Sequence, residues 1–145
     1  MTTKTVAIAC DHAGPALKKT LKSALEKMGF KVLDFGTDGT ESVDYPDYAR
    51  KVVEAIEGGK AEKGVLICGS GIGISIAANR HPKIRCALCH NEEIATLSRQ
   101  HNDANVLALG ARMVDEATAL AALKAFFTTD FEGGRHQRRV DKLGC

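Results

Sequence analysis

Tryptophan is missing from the 145 residues, tyrosine occurs twice and phenylalanine five times. None of these rings interleaves with a cluster of cations, so the stacking platform of a single-strand nucleic-acid binder is absent. Long apolar runs are missing as well. None approaches the roughly 18 residues of a membrane span, and no apolar stretch behind basic residues reads as a secretory signal. A cytosolic setting is expected, with no nucleic acid and no membrane among the partners. No internal repeat, low-complexity tract or linker appears, so one domain over residues 1–145 is expected. An excess of one charge is nearly absent too, because Lys and Arg total 20 against 18 Asp and Glu, a net charge of +2. What excess there is lies at the end of the chain, where Arg135, Arg138, Arg139 and Lys142 outnumber Glu132 and Asp141. A cluster that small suits a single anionic ligand. The five cysteines (10, 68, 86, 89 and 145) are odd in number, and free thiols are expected rather than a disulfide framework.

What is present is an alternation of short apolar runs with amphipathic stretches. Strands are expected at Thr5–Cys10, Lys31–Phe35, Gly64–Cys68, Ile84–Cys89 and Val106–Leu109. Helices are expected over Ala13–Met28, from Pro46 to about Glu57, from Gly73 to Asn79, over Asn91–Gln100 and Asp115–Phe127, and briefly after Gly133-Gly134. In the first of these, Ala13, Leu17, Leu21, Leu25 and Met28 share one face, with Lys18, Lys19, Lys22 and Glu26 directed away from it. Buried strands alternating with helices imply a three-layer α/β/α arrangement, a five-stranded parallel sheet with helices on both faces. In such sheets ligands bind beyond the carboxyl ends of the strands, where the strand order reverses. If that reversal falls between the first and third strands, Asp11, His12, Cys68 and Ser70 share one crevice.

Gly69-Ser70-Gly71-Ile72-Gly73 places bare backbone N–H groups at a helix start, a setting for phosphate or a transient oxyanion. It fits neither the dinucleotide fingerprint nor the P-loop nor the nucleophile elbow, and a plain tight turn is the alternative. Cys68 stands directly before it, at a strand end facing a helix N-terminus, the kind of field that favours thiolate. Such a thiolate could attack a carbonyl or remove a proton from the carbon beside one. Burial as a small hydrophobe is the competing reading, and it is the one expected for Cys10, Cys86 and Cys145. Cys86-Ala-Leu-Cys89-His90 matches a haem-attachment pattern, but it falls inside an expected strand, has no second ligand pair for zinc, and reads as coincidence. A catalytic imidazole would be His101 or His12, each near an acid, with a solvated ring as the alternative. His136 stays open. Arg135 and Arg139, four apart, share one helical face and could clamp a phosphate, and Arg112 is a further anion contact. A solvated basic surface is the alternative there.

Taken together, Cys10-Asp-His-Ala-Gly14, Asp44-Tyr-Pro46, Cys68-Gly-Ser-Gly-Ile-Gly-Ile-Ser-Ile-Ala-Ala-Asn79 and Ser98-Arg-Gln-His-Asn-Asp103 resemble the type B ribose-5-phosphate isomerases. Asn105-Val-Leu-Ala108 and Glu132-Gly-Gly-Arg-His-Gln-Arg-Arg139 extend the likeness nearly end to end. The resemblance implies a flavodoxin/Rossmann-like fold and an aldose–ketose isomerase of the non-oxidative pentose phosphate pathway. It implies Cys68 as the general base, Gly69 to Gly73 as the oxyanion loop, and Ser70 where many relatives carry threonine. His101 would assist opening of the furanose ring, with Asp11 and Tyr45 in the sugar site and Asn102 touching substrate. His12, Arg112, Arg135 and Arg139 would bind substrate and its phosphate. It further implies a homodimer, or a tetramer, with sites at the subunit interface and no metal or cofactor. The wider family adds isomerases of six-carbon sugar 6-phosphates as an alternative. A non-catalytic phosphosugar-binding module and a thiol redox or haem protein are the alternatives from other classes.

Overall fold

Residues 4–144 are described by a computed structural model, and Cys145, expected to be buried, lies outside the described residues. Five parallel strands form one sheet: β1 (Thr5–Cys10), β2 (Lys31–Asp34), β3 (Lys63–Cys68), β4 (Cys86–Leu88) and β5 (Val106–Gly110). Their order across the sheet is β2-β1-β3-β5-β4. The helices are α1 (Pro15–Lys27), α2 (Tyr45–Glu57), α3 (Ile72–Asn79), α4 (Glu92–Asn102), α5 (Glu116–Thr128) and α6 (Arg135–Lys142). The expected three-layer parallel α/β fold is the one observed.

Strand alternation sorts the apolar side chains into two cores. Val6, Ile8, Cys10, Val65, Ile67, Leu107 and Leu109 meet Leu21 and Leu25 of α1 and Leu123 and Phe126 of α5. On the other face Ala7, Ala9, Leu66, Cys68 and Ala108 meet Val52 and Val53 of α2 and Ile74 and Ala78 of α3. Cys10 and Cys68 therefore point to opposite faces although their strands are neighbours. Cys86 packs with the second core and Cys89 with the first, so the C-x-x-C spacing puts its two sulfurs on opposite sides of the sheet. Burial pushes the Cys10 thiol up to about 12 and the Cys89 thiol up to about 11.

Three expectations need correction. Lys18 does not face solvent: its side chain is 2% exposed, and its Nζ donates to Asp34 Oδ1 and Asp38 Oδ1, each at 2.6 Å. The fourth strand is three residues long and only half-buried, because it lies at the sheet edge and side chains take its neighbouring amides. The Arg85 N–H donates to Asn105 Oδ1 at 2.7 Å and the Cys86 N–H to Asn79 Oδ1 at 2.7 Å. α4 also runs two residues farther than expected, so His101 and Asn102 ride on its last turn, and Asp103 closes it in the left-handed conformation (φ 47°).

Candidate active site

The reversal of strand order does fall between β1 and β3, the place where sheets of this kind bind ligands beyond the strands' carboxyl ends. The Asp11 N–H donates to Ile67 O at 3.1 Å, which locks the turn after β1 against the end of β3. Asp11 is buried, and its Oδ1 accepts the Ala13 N–H at 2.9 Å. His12 follows it, and its Nδ1 accepts the Val43 N–H at 3.1 Å. An imidazole nitrogen that accepts carries no proton, so the proton of the neutral ring sits on Nε2, which is left as a donor.

Cys68 ends β3 on the face covered by α2 and α3. It is 4% exposed, with its sulfur under the glycine loop, and its Sγ accepts the Gly71 N–H at 3.1 Å. Gly71 adopts φ 78°, a conformation that turns its amide back onto the sulfur and that side chains rarely take. Ser70 Oγ accepts the Ile72 N–H at 3.1 Å, which leaves its own O–H free to donate outward. Beyond this turn α3 begins, and its first-turn amides have no acceptor within the helix. Arg112 arches over the loop: its N–H donates to Gly69 O at 3.0 Å, and its Nη1 lies 2.9 Å from the point a Gly69 Cβ would occupy. Tyr45, the first residue of α2, lays its ring on Gly73 so closely that a Cβ there would stand 2.5 Å from Cζ. The structure thus brings together Asp11, His12, Tyr45, Cys68, Ser70, the loop Gly69–Gly73 and Arg112.

His101, Asn102, Arg135 and Arg139 are elsewhere. Helices run back against the strands, so the last turn of α4 sits at the amino edge of the sheet, where the Gly64 N–H donates to Asn105 O at 2.9 Å. Cys68 pairs with Gly110 and Gly64 with Val106, a separation of four strand steps, about 13 Å. Within one chain His101 and Cys68 occupy opposite edges. At the His101 edge α6 packs on α4, and the Glu132 N–H donates to Gln100 O at 3.1 Å. The His101 and His136 rings stack with centroids 4.3 Å apart and planes 14° from parallel. Glu132 Oε1 lies 3.6 Å from His136 Nε2. Desolvation, helped by His101 and Arg135, lowers the pKa of His136. Arg135 and Arg139 are exposed on α6, and Arg139 Nη1 donates to Arg135 O at 2.9 Å. A cleft of about 340 Å³ beside Asn102 is lined also by Asn79, Arg85 and Leu143.

Two residues that place His101, Arg99 and Arg85, carry no local mark of that role in the sequence. Arg99 is buried, donating through Nη1 to Asp103 Oδ1 at 2.8 Å and Ala104 O at 2.6 Å, and through Nε to Thr129 O at 3.2 Å. Arg85 Nε donates to Asn102 O at 3.1 Å and Asp103 O at 3.0 Å. His136, undecided on the sequence alone, is the third, and its four-residue spacing from Glu132 is the sign the sequence offers. The donor atoms of His101, Glu132 and His136 all lie within 4.8 Å of one another, a candidate set of metal ligands. Among the described residues no helix is long and apolar enough to cross a membrane.

The family model described as Ribose/Galactose Isomerase matches residues 6–143. The ribose-5-phosphate isomerase B of Escherichia coli strain K12 is 46% identical over 140 residues, covering 97% of this chain and 94% of the relative. The solved ribose 5-phosphate isomerase of Thermotoga maritima superposes with a TM-score of 0.95 at 47% identity, over 99% of each chain. The ribose-5-phosphate isomerase B of Clostridium thermocellum does so with a TM-score of 0.94 at 50% identity, over 97% of this chain and 95% of that one. The chain belongs to the ribose/galactose isomerase family, in its type B ribose-5-phosphate isomerase group, and is an isomerase.

Proposed function

We propose that the protein interconverts D-ribose 5-phosphate and D-ribulose 5-phosphate, with Cys68 as the base and with His101 supplied by a second copy of the chain. The observation that carries this reading is the Cys68 sulfur held 3.1 Å from the Gly71 amide, under a loop that Arg112 overhangs and at the strand ends where Asp11 is held. The furanose must open first. That breaks the bond between C1 and the ring oxygen, which takes a proton while the C1 hydroxyl gives one up. The ring oxygen is bonded to C4, next to the phosphorylated carbon, so its proton donor belongs near the phosphate clamp. The chain sorts its groups in the same way: His101, Asn102, Arg135 and Arg139 share one edge, and Cys68 with its amide loop has the other.

Cys68 then takes the C2 proton as the electrons pass into the C1 carbonyl, the hydroxyl proton of O2 passes to O1, and Cys68 returns its proton to C1 as the C2 carbonyl forms. The negative charge of the intermediate enediolate falls to the amides of the loop Gly69 to Gly73 and to the Ser70 hydroxyl. Asp11 and Tyr45 border the sugar, and His12 and Arg112 reach its hydroxyls or phosphate. A fold with these groups at opposite edges works only if two copies face each other, base edge to histidine edge. Ile72 and Ile76, 53% and 59% exposed and one turn apart on α3, supply an apolar strip for that contact.

Turnover of ribose 5-phosphate in deuterated water is expected to place label at C1 of the ketose. Absence of label at C1 and C2 would rule out proton transfer through solvent-exchangeable sulfur. Cys68→Ala is expected to lower kcat by about 10³ while an unreactive sugar phosphate still binds. Activity should persist in strong chelator. Faster turnover of allose 6-phosphate than of ribose 5-phosphate would move the substrate to the six-carbon class.

A further inference from the structure

We propose that His101, Glu132 and His136 form a binding site for one divalent transition-metal ion of the zinc type, and that its occupancy arrests the isomerase. The second half rests on the reading of His101 as the ring-opening group. Two imidazoles and a carboxylate, with one position left open, make the donor set of many three-ligand zinc sites. Here the three come from the last turn of α4, the first turn of α6, and Glu132 in the segment that leads from α5 into α6. The Glu132 amide bonded to Gln100 O holds that segment to α4, so the three donors are neighbours by virtue of backbone placement.

The donor atoms lie within 4.8 Å of one another, and Glu132 Oε1 is already 3.6 Å from His136 Nε2. Zinc bonds of about 2.0–2.1 Å in a tetrahedron set neighbouring donors roughly 3.3 Å apart. The stacked rings aim their lone pairs side by side rather than at one point. One ring must therefore turn, and Glu132, whose side chain is 51% exposed, is free to swing in. Arg135 and Arg139 stand close by and oppose a cation electrostatically. That repulsion selects ions bound chiefly through imidazole nitrogen, such as Zn²⁺, Cu²⁺ or Ni²⁺, over Mg²⁺ and Ca²⁺, which are held by oxygen and charge. A metal on His101 takes up a lone pair of the ring and fixes its orientation, so the imidazole no longer exchanges a proton with the ring oxygen.

The test titrates Zn²⁺, and separately Co²⁺, into the metal-free full-length protein and reads stoichiometry by calorimetry and cobalt visible absorption. One ion per chain is expected, with affinity weakened by about tenfold or more in both Glu132→Gln and His136→Gln, and with no competition from Mg²⁺. Affinity unchanged in both variants, or lost only in Cys68→Ala, overturns the site. Activity with ring-form ribose 5-phosphate is followed in parallel, and zinc is expected to abolish it until chelator is added. If zinc binds with the expected dependence on Glu132 and His136 but turnover continues, the site stands, while arrest and the ring-opening role of His101 both fall.

Discussion

Lys18 keeps its charge at a place where almost no water reaches it, and its partners explain how. Burial pulls the ammonium pKa down, but the hydrogen bonds to Asp34 and Asp38 outweigh burial and leave it above its ordinary 10.5. For Asp34, burial pushes up while the Lys18 bond and the Gly36 N–H pull down, and the net position is below its ordinary 3.8. The Asp34 contribution to stability is therefore complete above about pH 4 and lost as pH falls through the folded value. The Lys18 contribution is complete below 10.5 and lost as pH rises through the folded value. Lys18→Met should cost about 2 kcal/mol at neutral pH, less than a fully buried pair, because Asp38 is solvated and Asp34 keeps Lys22 at 3.6 Å. Denaturant melts at pH 7 and pH 3 check it: the deficit relative to the parent should shrink at the lower pH. Helical periodicity could not foresee this burial, since the acids that accept Lys18 lie 16 and 20 residues farther along and nothing local marks them.

At the scale of elements, the strand–loop–helix unit β3–α3 was the most legible part of the chain. An apolar run of strand length, then glycines, then a small-residue helix allows few other arrangements. Its two inner glycines are not equivalent. A methyl group at Gly71 would combine φ 78° with the Leu109 carbonyl carbon 2.9 Å away and Leu88 Cδ1 2.5 Å away, and the backbone carbon cannot yield. Gly71→Ala is expected to cost about 2–4 kcal/mol and to remove activity, because the amide that faces the Cys68 sulfur turns with it. At Gly73 the obstacle is the Tyr45 ring, which sits at the surface and can move. Gly73→Ala should cost only about 1 kcal/mol and should raise KM more than it lowers kcat. Melting curves beside kinetics for the two variants would separate the cases, and equal losses would refute the distinction. The end of α4 was less legible. Its helix persists to Asn102 because Arg99 holds the Asp103 carboxylate four residues on and Arg85, 17 residues before Asn102, holds the last carbonyls, a contact that nothing local marks.

The whole molecule holds the Cys68 loop and the His101 cluster at opposite edges of its sheet, a separation that motif order conceals, since the two residues stand only one strand and two helices apart along the chain. If each working site joins the Cys68 edge of one copy to the His101 edge of another, two dead proteins can repair each other. Cys68→Ala and His101→Asn homodimers each lack one essential group in both sites. A mixed dimer holds one site missing both groups and one site missing neither. Random reassortment makes about half of the dimers mixed, with half of their sites intact, so activity should return to about a quarter of the parent value. Mixing the purified variants under conditions that exchange subunits, with turnover followed over time, gives the measurement. Recovery that plateaus near that fraction requires a shared site. Variants that exchange subunits, as shown by mass-tagged copies, yet regain nothing would mean that each chain completes its own site, and the histidine would have to reach the sulfur by some route across the sheet that the parallel strand pairing does not offer.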